Sequence, residues 1–148
     1  MSFTERSTIA ELVTSLAVIA LFTWVIVTRQ AEGAFSGPEG LQTWARQILW
    51  MIPAGIGLGI GVSILLALAY HVTLREAFDG LVDERDRIIV LFGWKVTAIT
   101  ISTGFVAALV ALAWGVTPLL ALNLMLASFA AGDLAGNAAR LWRYRRGY

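Results

Sequence analysis

Residues Ile88–Trp114 read IIVLFGWKVTAITISTGFVAALVALAW, an apolar run with one charge, Lys95. A helix rising about 1.5 Å per residue needs roughly 20 such residues to cross a hydrocarbon core of about 30 Å, so this run predicts a membrane span rather than a helix of a soluble core. Working outward, the Gly115-Val116-Thr117-Pro118 segment is a turn with Thr117 as cap and Pro118 as first helical residue. It leads straight into a second apolar run at Pro118–Ala139. Two further runs, Ser7–Val27 and Ile48–Tyr70, complete the pattern. The expected fold is all-α: a four-helix transmembrane bundle in a single membrane domain over residues 1–148, with spans near 7–27, 48–70, 88–114 and 118–139.

Composition agrees. Of the 148 residues, 58% are hydrophobic and 14% charged, far more apolar than a soluble domain. With no cysteine, disulfides and thiolate chemistry are excluded, and a net charge of +1 offers no argument for nucleic acid. Ser7–Val27 exceeds the roughly 7–15 residues of a secretory signal's apolar region, so it is read as a retained span.

Charge distribution predicts orientation. With the amino terminus cytoplasmic, Arg6, Arg75, Arg85, Arg87, Arg140, Arg143, Arg145 and Arg146 fall inside, and only Arg29 and Arg46 outside. The positive-inside rule therefore expects both termini in the cytoplasm (N-in/C-in), with antiparallel hairpins, in a prokaryotic inner (plasma) membrane. Trp24, Trp44, Trp50 and Trp114 would mark the outer interface, and Tyr70, Trp94, Trp142 and Tyr144 the inner one. Ser36 or Gly37 is expected to cap a helix starting at Pro38. A tilt or bend is expected around Pro53 and Gly55, an exit at Asp79-Gly80, and a cap at Asp83 with Asp86 three positions on.

Small residues form two patterns. Gly55/Gly59 and Gly57/Gly61 make neighbouring i, i+4 strips in the second span, and Ser128, Gly132 and Gly136 make another in the fourth. In lipid, small residues let backbones approach, so these strips are packing surfaces: within the chain, at a homo-oligomer interface, or along a substrate-facing groove. A nucleotide-binding reading fails because no strand precedes the glycines. The Glu5-Arg6 and Glu84-Arg85 pairs are too short to establish a repeat.

Ionisable residues within spans are expensive and therefore informative. Glu11, Lys95 and Asp133 all fall toward the cytoplasmic end, and depth counting predicts a Lys95–Asp133 ion pair. Asn137 and Arg140 extend the Asp133 face, and Lys95, His71 or Arg75 are the expected partners of Glu11. A shared ammonium would make a titratable centre; the alternative is a structural pair with Lys95 snorkelling to water. The lone His71 is assigned no metal, and no cofactor is expected. The serines and threonines of the third span have no His base and are expected to bond helix carbonyls.

The string Asp83-Glu84-Arg85-Asp86-Arg87 places acids at a helix amino terminus, and Asp86 is expected to approach Arg140 and Arg143. The tail bearing Arg140, Trp142, Arg143, Arg145 and Arg146 reads as an anchor for anionic lipids at the cytoplasmic face.

The string DERDRII at Asp83–Ile89, with Lys95 following, resembles the charged motif before a span in certain small uncharacterised prokaryotic multi-pass membrane proteins. The likeness covers Asp83–Lys95 and implies a family type, not an activity. Ile9-Ala10-Glu11-Leu12 is similar to the surroundings of the essential first-span carboxylate in small multidrug-resistance transporters, which also have four spans. The charged middle loop, Lys95, Asp133 and the basic tail depart from that family. The function expected is a non-enzymatic bundle that assembles with itself or with a membrane protein partner. The alternative is a small proton-coupled transporter or channel using Glu11, Lys95 and Asp133.

Overall fold

The computed structural model describes residues 3–74 and 84–146. Four helices account for nearly all of them: α1 (Phe3–Ala31), α2 (Gly40–Leu74), α3 (Glu84–Ala113) and α4 (Pro118–Arg146). No strand occurs among the described residues, and all four helices contain windows long and apolar enough to cross a membrane. At about 1.5 Å per residue even the shortest exceeds 40 Å, longer than a hydrocarbon core of about 30 Å is thick. The expected Asp79-Gly80 exit, the Asp83 cap and Arg75 lie outside the described residues, as do the side chains of Tyr70 and His71.

Both described interhelical turns use the same device. After α1, Gly33 at φ 76° lets its N–H donate to the Gln30 carbonyl while Ala34 donates to that of Arg29. After α3, Gly115 at φ 83° does the same with Leu112, and Val116 donates to Ala111. A left-handed residue here satisfies carbonyls that the helix end would otherwise orphan, and glycine adopts it without a Cβ penalty. The Thr117 carbonyl then accepts from Leu120 and Ala121, and α4 begins at Pro118. The start of α2 differs from expectation: it lies at Gly40, not Pro38. Gly37, at φ 85°, opens a tight turn in which its carbonyl accepts from the Gly40 N–H. The bare Cα of Gly40 lies against the Phe35 carbonyl, where a Cβ would collide, and Phe35 and Trp44 are buried in this fold-back. α2 then continues through Pro53 as one helix.

The chain groups into two compact units, Thr14–Leu74 and Met1–Val13 with Arg75–Tyr148. In the first, Gly55 receives the Phe22 ring: a Cβ on Gly55 would lie 2.8 Å from its Cζ. Gly59 stands 3.9 Å from the Thr14 methyl on the same measure. Bulky side chains such as Phe22 thus keep the α1 and α2 backbones apart.

In the second unit α3 and α4 pack backbone to backbone. Tyr144 meets Asp86, Arg140 meets Gly93, Gly136 meets Gly93 and Thr97, Gly132 meets Thr97 and Ile101, and Ser128 meets Gly104. Each step along α3 away from Asp86 is matched by a step back along α4. Ala108 and Ala121, both buried, continue the series toward the turn. The strip of Ser128, Gly132 and Gly136 is therefore internal packing. The tail expected after residue 139 is helical to Arg146: its residues are good helix formers, and its cations complement the negative end of the helix dipole.

Candidate functional site

Asp133, Asn137, Arg140 and Tyr144 recur at helical spacing and make one polar stripe along the carboxyl-terminal half of α4. Two of its members reach other helices. Tyr144 donates its hydroxyl to Asp86 Oδ1 at 3.0 Å, tying the end of α4 to the start of α3. Arg140 donates from Nη1 to Glu11 Oε2 at 2.8 Å, tying α4 to the first turns of α1.

The route of Arg140 depends on Gly93. Its stem runs so close across that glycine that a Cβ there would lie 2.5 Å from Cγ and 2.8 Å from Nε. Gly93 is thus a notch, and the guanidinium emerges beyond it toward Glu11. The pair is unevenly buried, since the Arg140 side chain is 15% exposed and that of Glu11 49%. One turn earlier on α1, Thr8 is buried.

Asn137 is 1% exposed. Its amide stands 3.4 Å from Asp133 Oδ1, a long contact, while its own Oδ1 and the Arg140 Nε have no hydrogen-bond partner among the described residues. A buried donor and a buried acceptor thus stand unmet on one stripe, where folded interiors ordinarily pair such groups. Near the helix end, Arg143 lays its guanidinium 3.8 Å from the Phe92 ring centroid and Arg146 stacks at 5.1 Å on Trp142.

Several expectations need correction. No Lys95–Asp133 ion pair forms: Lys95 is exposed and Asp133 contacts Asn137. The cause is rotational. Gly93 and Thr97 both face α4, and Lys95, about 200° around the helix from Gly93, points the other way. Height adds to it, because the contact register puts Lys95 level with Gly136 and Asp133 level with residues past Thr97, about one 5.4 Å turn away. The partner of Glu11 is Arg140, not Lys95. Asp86 does lie at the α4 tail, where it accepts from the Tyr144 hydroxyl. A signal for the Arg140 route was the glycine at position 93, near the charged end of an apolar run.

Among the described residues no three side chains of His, Cys, Asp or Glu gather as metal ligands. The stripe can carry charge and hydrogen bonds across helices and hold a proton on a carboxylate, but it presents no nucleophile with an adjacent base. Compared with family models, with curated proteins and with solved structures, the chain matches none of them.

Proposed function

We propose that this four-span protein sits in a prokaryotic plasma membrane with both termini cytoplasmic and antiparallel hairpins, and that it works by assembling with itself or with another membrane protein. The observation that carries this reading is the second glycine strip of α2. Gly55 and Gly59 are met by α1 side chains, whereas among the described residues nothing lies within 4 Å of a Cβ placed on Gly57 or Gly61. Lipid chains gain little from such a groove, but another helix backbone gains close dispersion contact. Exposed Trp142, Arg145 and Arg146 suit anionic headgroups at the cytoplasmic face.

Mass measured in detergent and in lipid discs tests the proposal. The wild-type chain is expected to exceed one protomer's mass, and Gly57→Ile with Gly61→Ile is expected to lower it while helix content stays unchanged, since both positions open onto free space. A wild-type chain that stays monomeric in lipid would defeat it.

A second reading, transport of protons or of a small cation, is favoured by the unmet Asn137 Oδ1 between Asp133 and the Glu11–Arg140 pair. Reconstituted protein would then show pH-driven flux that falls about a hundredfold or more in Glu11→Gln or Asp133→Asn, the scale on which removing one positioned proton-transfer group acts. Equal flux in wild type and both variants removes this reading.

A further inference from the structure

Lys95 and Asp133 are the only ionisable residues between Ile88 and Ala139. Lys95 lies eleven residues past the start of α3 and is exposed beside Leu91, Trp94 and Ile99, themselves exposed apolar side chains. A charge placed on such a face costs about 2.5–3.5 kcal/mol at the centre of a span, less nearer the interface, unless an anion meets it. The chain itself offers few. α2 has no carboxylate from Gly40 to Leu74, and Glu11, the acid in the apolar part of α1, is engaged by Arg140. Asp86 belongs to the start of α3 and is buried against Tyr144. Among the described residues Asp133 is the remaining acid at this depth, has no cation within ion-pair distance, and is partly exposed.

Resting on the self-assembly reading, we infer that the pair forms between copies: Lys95 of one protomer is neutralised by the partner subunit's Asp133. Every copy enters the membrane with the same orientation, so the two groups stand within about one 5.4 Å turn of the same height, a gap that the four-carbon lysine stem spans. Because Lys95 faces away from α4 whereas Asp133 flanks the α3/α4 contact, the two lie on different faces of one hairpin. The contact is therefore head-to-tail and repeats around a ring instead of closing on a two-fold axis. It also explains why a lysine stands on an otherwise apolar helix face.

Charge reversal in the full-length chain separates this pairing from others. Lys95→Asp and Asp133→Lys should each fall to monomer mass in lipid discs. Mixing the two should restore assembly of alternating protomers, and the double variant should restore the wild-type mass, because each such contact is again between opposite charges. If reversal disturbs folding, Lys95→Gln and Asp133→Asn serve instead. Each should weaken self-association about tenfold, the size of a strong interhelical polar contact in lipid, and the two together no more than either alone. Wild-type assembly in all single variants would overturn the pairing while leaving self-assembly standing, and would leave Lys95 to lipid phosphate. Failure of the mixture to assemble when the singles are folded monomers overturns it too, as intramolecular pairing would give. A monomeric wild type defeats both readings.

Discussion

Gly136→Leu is expected to lower the unfolding free energy by about 3 kcal/mol, the upper end of what overpacking costs in a closely fitted interior. A Cβ at Gly136 meets the Thr97 hydroxyl and lies 3.0 Å from the Gly93 carbonyl. The carbonyl belongs to a helix backbone and cannot swing aside as a side-chain end would. Relief requires α3 and α4 to separate, and that loosens the contacts at Gly132 and Gly104 as well. Even Gly136→Ala should destabilise, although alanine gains about 1 kcal/mol in helix propensity over glycine. Gly57→Leu is the matched control, because its Cβ meets nothing within 4 Å. Denaturant titration of helix content in micelles measures all three, and equal stability of Gly136→Leu and Gly57→Leu would show that the α3/α4 approach is looser than described.

The Glu11–Arg140 pair should respond asymmetrically to removal of its partners. Glu11→Gln withdraws the counter-charge from a guanidinium whose side chain is 15% exposed and whose Nε already lacks a partner, so a loss of about 2 kcal/mol is expected, below the 3–5 kcal/mol of a fully buried pair. Arg140→Met keeps the stem over Gly93 and abandons only Glu11, which at 49% exposure can take water, so its cost should be about 1 kcal/mol or less. A double-mutant cycle should return a coupling of about 1 kcal/mol. Equal losses from both variants, or no coupling, would mean that the contact does not hold α1 to the hairpin.

The four helices and the turn after α3 were legible in the sequence because they depend on local terms. Apolar run length predicts Ile88–Trp114 and Pro118–Ala139, and glycine at position 115 with Thr117-Pro118 specifies a turn through backbone conformations that neighbouring residues impose. The α2 start was misread by two residues because Gly40 faces the Phe35 carbonyl, a contact formed only when the loop folds back. The α4 stripe was legible as far as Asp133, Asn137 and Arg140 share a face. Its partners were not.

The physical reason is rotational phase. In a soluble helix the apolar stripe indicates which side meets the core, whereas a span surrounded by lipid is apolar on all sides, so no periodicity says which face of α3 turns toward α4. Lys95 and Asp133 therefore come within about one turn in depth and fail chiefly in direction. The residue order alone determined that four helices form, that they suit a bilayer, and where the two described turns fall. Close approach at Gly93, Thr97, Gly132 and Gly136 decided that Arg140 reaches Glu11 and that Lys95 faces outward, because the packing of small residues selects one rotation of each helix from many that hydrophobicity leaves equivalent.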